Sequence, residues 1–262
     1  DSVEHFERDE CDVVVACRTP WAARELKEQI GERAVYTWHQ DNGYGNPWMW
    51  SRETEKQSRG QLHVSAWAMS GLVEELGTEG WDLAERQSLL QRQNVIGNGV
   101  LPECIEGWSE RSPLRVVYAS DPTRGLSQLL DAWPAVMRRC PNAELVVACD
   151  FRVMLALRQS EPGVPVLYTM QKLQERINNT PGVKYTGWIS HAKLIALCQS
   201  ANTYCYPGGP MPEGFGVSLV QAQACGCSII APSEGALPEV LSPKTWHPVG
   251  EDLAASILYR VD

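Results

Sequence analysis

No stretch of this 262-residue chain stays apolar for the roughly 18 residues a membrane-spanning helix needs, so no transmembrane segment is expected. The opening DSVEHFERDE is too acidic for a signal peptide, and the expectation that follows is a cytoplasmic location. CxxC pairs are absent as well. The nine cysteines lie singly in runs such as DVVVAC, ELVVACD, IALCQ and NTYCYP, where a free thiol behaves as a small hydrophobe, and an odd count argues against a complete disulfide set. Cys225 and Cys227, one residue apart with no second pair, make a poor zinc chelate. There is no Asp-x-Asp pair in a strand-end loop and no His/Cys ligand cluster, so no metal site is expected. Positive charge is scarce: residues 1–108 carry 10 Lys and Arg against 19 Asp and Glu, a balance of −9, while residues 109–262 carry 13 of each. Nucleic acid and anionic membranes both require clustered positive charge, so neither is expected as a partner.

What the chain does have is a repeated alternation of strand-like and helix-like segments. DVVVAC (12–17) is a short apolar run, PWAARELKEQIG (20–31) has helical spacing that stops at Gly31, and AVYTWH (34–39) is strand-like again. GQLHVSAW (60–67) then leads into the helical AMSGLVEELG. The segment 94–113, NVIGNGVLPECIEGWSERSP, is rich in Gly, Pro and Ser and reads as a linker, which divides the chain into domains over 1–108 and 109–262. Asn98 and Gly99 there shape either a hinge or a tight type I′ or II′ turn. Beyond it, strands at 114–120, 143–150, 184–188, 202–207 and 227–232 alternate with helices at 125–141, at 191–201 and from about 216. Strands separated by helices of 10–15 residues indicate parallel βαβ units. The expected fold class is α/β: two doubly wound domains facing across a cleft, with ligands beyond the carboxyl ends of the strands.

One stretch carries chemistry. PEGFGVSLVQAQACG (212–226) places Glu213 where a strand's carboxyl end feeds a helix amino end, whose free N–H groups and positive dipole end suit a phosphate. Gly214 and Gly216 allow close backbone approach, and Ser218 is positioned to cap. The plainer alternative is that Glu213 only complements the helix dipole and Gln221 faces solvent.

The ordered series YTWHQDN, HVSAW, NVIGNGV, VVYASDPTRGLSQLLDAW, VKYTGWISHAKLIALCQSANTYCYP and PEGFGVSLVQAQACGCSIIAPSEGALPEV resembles the GT-B-fold retaining glycosyltransferases of family four, from about residue 12 to the end. The resemblance implies two Rossmann-like domains and hexosyl transfer from a nucleotide diphosphate sugar to a glycan, lipid or small-molecule acceptor. It implies retention of configuration, no cofactor and no metal ion. It makes Glu213 the first acid of the family's E-x7-E motif, beside the donor sugar. The backbone of Gly214 and Phe215 then holds sugar hydroxyls, and that of Gly216, Val217 and Ser218 faces the diphosphate. Departure of a diphosphate leaves an oxocarbenium-like sugar, so a cation at the leaving group is expected. Arg124 in DPTRGL stands where the family usually has Lys; a solvated loop arginine is the alternative. His39 matches the amino-domain histidine that faces the sugar, although a histidine at a strand end is also often a hydrogen-bonded core residue. Trp188 and Ile189, in TGWIS, fall in the base-facing loop.

Three departures stand beside these matches. Ser120 replaces a basic residue at the diphosphate, where a neutral donor holds an anion less strongly than a charged one. Gln221 replaces the second Glu of E-x7-E, which grips the ribose. Neither the glycine-rich first strand-loop of the family nor its last helix crossing back between the domains is evident, so either the first strands lie outside this sequence or the amino domain is reduced. A non-catalytic GT-B-like module that binds a nucleotide or glycan is the alternative to the enzyme, and a nucleotide-sugar epimerase of the same fold a weaker one.

Overall fold

The computed structural model describes residues 12–17, 34–40, 58–77, 80–107, 110–151, 166–250 and 252–261. The helix expected over 20–31 lies outside them. The chain forms two compact units: residues 1–98 with Glu213–Phe215 make unit 1, and residues 99–212 with 216–262 make unit 2.

Unit 1 holds four parallel strands, β1 (Val13–Cys17), β2 (Ala34–His39), β3 (Gly60–His63) and β4 (Gln93–Val95), in the spatial order β1-β2-β3-β4. They follow chain order, so no reversal of strand order falls among the described residues of this unit. Helix α1 (Ala66–Leu76) follows β3. Helix α2 (Leu83–Leu90) starts at a capping box: Asp82 accepts from the Glu85 N–H at 2.8 Å and Glu85 accepts from the Asp82 N–H at 3.2 Å. Leu72 of α1 and Leu89 of α2 are buried, and Trp81 packs against them.

Unit 2 contains β5 (Ser112–Tyr118), α3 (Leu126–Arg139), β6 (Glu144–Val147), α4 (Val166–Asn179), β7 (Val183–Tyr185), α5 (His191–Gln199), β8 (Ala201–Cys205), α6 (Val217–Ala224), β9 (Ser228–Ala231), α7 (Leu237–Val240), β10 (Trp246–Pro248) and α8 (Leu253–Val261). Its six parallel strands take the order β10-β9-β8-β5-β6-β7. The order reverses between β5 and β8, and in such sheets ligands bind at the carboxyl ends beside that point. The continuous apolar run of β5 has a direct physical reason. Successive side chains point to opposite faces, and both faces are covered: Val116 and Tyr118 join a core with Leu126, Trp133 and Ile177, while Val117 joins a second with Ile195, Tyr204 and Leu219. Helix α3 buries Leu126, Leu129, Leu130, Trp133 and Val136 along one stripe, each aliphatic burial worth about 1.5–3 kcal/mol.

The units divide at Asn98/Gly99, inside the expected linker but ten residues before the boundary at 108. Residues 99–107 fold onto unit 2 because Cys104 is buried in its second core and the Gln199 amide donates to the carbonyls of Glu103 and Glu106, both at 2.8 Å.

Candidate functional site

The start of α6 is set by one glycine. Gly216 is the N-cap residue, in the left-handed region with φ 75°, and a Cβ there would lie 2.8 Å from Leu237 Cδ2 and 3.1 Å from Leu219 Cδ1. No side chain caps the helix. Ser218 therefore does not cap, contrary to expectation: it is the second helical residue, and a capping oxygen must come from the residue before the first. Its hydroxyl instead bonds the phenol of Tyr204, which donates to the carbonyl of Ala119 at the end of β5. Burial holds that phenol neutral. The amino end of α6 thus presents its backbone donors, with the exposed Val217 beside them, and the hydroxyl chain ties it to β5.

Arg124 sits at the carboxyl end of β5, in a loop fastened from within. Asp121 Oδ1 accepts from the Thr123 N–H and hydroxyl at 2.8 and 2.5 Å, and the Tyr118 phenol donates to the Asp121 carbonyl at 2.6 Å. Arg124 Nη1 donates to the Tyr206 hydroxyl at 3.0 Å. Burial pushes that phenol up to about 12 although Arg124 pulls it down, so the partner is a neutral hydroxyl. Gly209 makes room for the arginine: a Cβ there would stand 3.2 Å from Arg124 Cγ.

Ser120, Trp188 and Ile189 line one cavity of about 300 Å³ with Asp121, Cys149 and Asp150. Ser218 and Gln221 line a smaller recess with His191, and Leu194 borders both. Gln221 Oε1 lies 3.0 Å from His191 Nε2, so its amide N–H groups are the part left to meet a ligand.

Glu213, Gly214 and Phe215 belong to unit 1. The Ser65 hydroxyl donates to the Gly214 carbonyl at 2.7 Å and accepts from the Ala68 N–H at 2.9 Å, so one side chain caps α1 and holds the motif. Phe215 packs against Gly97, whose added Cβ would meet the ring at 3.1 Å. Neither Gly97 nor Gly99 is left-handed, and the Asn98 amide donates to Gln40 Oε1 at 2.9 Å. Glu213 is half-buried. His39 is 1% exposed, its ring stacked on His63 at 5.1 Å and its Nε2 3.2 Å from the Thr37 hydroxyl. Burial, with His63 adding to it, lowers its pKa to about 3. At neutral pH the ring is uncharged.

Sequence reasoning missed Ser65, His191, Tyr204 and Tyr206. The period-two NTYCYP sets Tyr204 in β8 and Tyr206 just past its end in the same core, which is the local signal for these two. Among the described residues no group of three or more His, Cys, Asp and Glu could hold a metal ion, and no helix is long and apolar enough to cross a membrane.

The architecture is that of the GT-B glycosyltransferases. S. aureus TarM superposes with TM-score 0.66 at 14% identity over 95% of this chain and 48% of its own, and a UDP-forming α,α-trehalose-phosphate synthase from Burkholderia xenovorans with TM-score 0.66 at 13% identity over 98% and 67%. These likenesses establish the fold. Residues 113–253 match the glycosyl transferases group 1 family, and the chain belongs to that family. It is 28% identical over 129 residues to a GDP-mannose-dependent monoacylated alpha-(1-6)-phosphatidylinositol monomannoside mannosyltransferase of Corynebacterium glutamicum, covering 47% of this chain. It is 32% identical over 138 residues to an MMP alpha-(1->4)-mannosyltransferase of Mycolicibacterium hassiacum, covering 53%. The chain spans about 30% of the length of these curated relatives.

Proposed function

We propose that this chain carries the donor site of a retaining, metal-independent glycosyltransferase that acts in the cytosol and moves a hexosyl group from a nucleotide diphosphate sugar to a glycan, lipid or small-molecule acceptor. The names of the relatives favour mannose as the sugar and GDP as the carrier. The observation that carries the reading is the uncapped, glycine-started α6 directly after Glu213, in a chain of this family.

In this proposal the bond from the sugar's anomeric carbon to phosphate oxygen breaks and its electron pair leaves with the diphosphate. The acceptor hydroxyl bonds the anomeric carbon from the same face, and its proton passes to the departing phosphate oxygen. Arg124 and the first N–H groups of α6, those of Val217 and Ser218 included, meet the negative charge that grows on the diphosphate, in place of a metal ion. Ser120 adds a neutral hydrogen bond, and Gln221 binds ribose through its amide N–H. Glu213 meets the positive charge at the ring, the backbone of Gly214 and Phe215 takes up sugar hydroxyls, and His39 contributes from its uncharged ring.

A non-catalytic nucleotide- or glycan-binding module is the second reading, favoured by Ser120 and Gln221. The experiment that separates the two is release of nucleoside diphosphate from sugar nucleotides, GDP-mannose first, in the presence of chelator. Turnover in chelator supports the proposal. Activity only with added magnesium or manganese refutes metal independence, and no release from any donor favours the binding module.

A further inference from the structure

We propose that Ser65 is a positioning residue for sugar transfer: through the Gly214 carbonyl it aims the backbone N–H of Phe215 at the donor sugar. The inference rests on the donor-site reading above and supplies what holds that N–H in place. Ser65 stands on a rigid base. Past the ends of β2, β3 and β4 the parallel pairing continues, the Val64 N–H donating to the His39 carbonyl at 3.2 Å and the Ile96 N–H to the His63 carbonyl at 2.7 Å. Ser65 follows directly and is 2% exposed. Its hydroxyl has one proton and two lone pairs, and both of its contacts fix how these are used. The Ala68 N–H, at 2.9 Å, can only donate, and the Gly214 carbonyl, at 2.7 Å, can only accept. The single proton therefore lies on the Gly214 side, and the two roles cannot be exchanged.

The consequence falls on the next peptide. The bond from Gly214 to Phe215 is trans, and a planar trans peptide sets its C=O and N–H in opposite directions. With the carbonyl drawn to Ser65, the Phe215 N–H points away from it. The ring of Phe215 supplies a second anchor against Gly97, where an added Cβ would stand 3.1 Å from its Cε2. Ser65, Gly97, Gly214 and Phe215 all belong to unit 1. Phe215 is buried, yet no acceptor among the described residues takes its N–H. An unpaired backbone donor on a buried residue is costly, and one whose direction is fixed in advance suits a ligand oxygen. In the donor-site reading that oxygen is a sugar hydroxyl next to Glu213.

The test is nucleoside diphosphate release from the sugar nucleotide that wild type turns over, GDP-mannose first, by the whole chain carrying Ser65→Thr, Ser65→Ala or Ser65→Gly. Affinity for the nucleoside diphosphate alone and melting temperature are measured on the same samples. Gly is tolerated at a helix N-cap and Ala is not, so the two variants separate the cap from the contact with Gly214. Ala should lower the melting temperature by several degrees and Gly by no more than about 2 °C. Both remove the proton, and both should lower kcat by about ten- to a hundredfold, the scale of a misplaced substrate. Affinity for the nucleoside diphosphate, which lacks the sugar, should stay within about threefold of wild type in all three variants, as should kcat of the Thr variant, which keeps the hydroxyl. If the Ala variant unfolds, the Gly variant carries the test. A Gly variant that turns over at the wild-type rate makes Ser65 a helix cap alone and overturns the proposal. So does a folded Thr variant as impaired as Gly, or a nucleoside diphosphate affinity that falls in step with kcat. No release from any sugar nucleotide by wild type overturns the donor-site reading and this inference with it.

Discussion

In unit 2 the central strand β5 sends Val116 and Tyr118 into one apolar core and Val117 into another, whereas in unit 1 the strands β2 and β3 bury Thr37, His39, Gln61 and His63 at 1% exposure or less. Those polar groups are linked. His63 Nε2 lies 2.6 Å from Gln93 Oε1, the Gln93 amide donates to Gln61 Oε1 and to the Leu89 carbonyl, and the Gln61 amide donates to the Ser58 hydroxyl at 2.7 Å. A buried polar chain of this kind stabilises only while every member is satisfied and uncharged, because the cost of stranding one is comparable to the whole gain from a hydrogen bond. Unit 2 should therefore respond to lost volume, and unit 1 to protonation and lost partners.

The largest expected effect is in the apolar core. Trp133 is fully buried and its indole N–H donates to the Pro181 carbonyl at 3.1 Å, so Trp133→Ala should destabilise unit 2 by about 3–5 kcal/mol. Hydrogen exchange should show faster opening of β5 and β6 while β2 and β3 keep their protection; equal loss in both units would break the comparison.

Acid is expected to act the other way round. The folded-state pKa of His39, about 3, lies below the ordinary 6.5, so the unfolded chain takes up the proton first as pH falls. The contribution of this histidine is full above pH 6.5 and is lost from 6.5 toward 3, at up to about 1.4 kcal/mol per pH unit. His63 shifts in the same direction, burial outweighing its Gln93 hydrogen bond. Exchange rates measured between pH 7 and 5 should rise in unit 1 first, and a flat profile there would contradict this.

Gln93→Leu removes the acceptor of His63 and the donor to Gln61, and should cost unit 1 about 1–3 kcal/mol by denaturant titration. The smallest effect belongs to the surface: Lys184, 69% exposed in its pair with Glu144, should contribute no more than about 1 kcal/mol, and Lys184→Ala should lose even that difference in high salt.

The same contrast explains what the sequence made legible. The apolar runs of β1, β2, β5 and β8 and the stripe of α3 are local patterns, and they were placed to within two residues or so. Strand β4 overlaps the start of the expected linker at Asn94 and Val95, because a three-residue QNV strand has no period to detect. Helix α4 carries Met170, Leu173 and Ile177 at helical spacing, a local signal outside the elements expected from the sequence. The Asp82–Glu85 capping box was a local signal left unused. In the candidate site, Arg124, Glu213, Ser120, Trp188 and Ile189 came from motif and resemblance. Tyr206, Ser65 and His191 did not, because each acts through a partner 82, 149 or 30 residues away, which no local spacing encodes.

The measurement that tests the proposed chemistry most directly is mannosyl transfer from GDP-mannose by wild type and Glu213→Gln, with melting temperature recorded on the same samples. Gln keeps the volume and removes the charge. Stability should stay within about 1 kcal/mol, the scale of a helix-dipole contact, while transfer falls on the order of 10²-fold or more. A folded Glu213→Gln variant that transfers sugar at the wild-type rate would contradict the role assigned to Glu213 and the enzyme reading built on it.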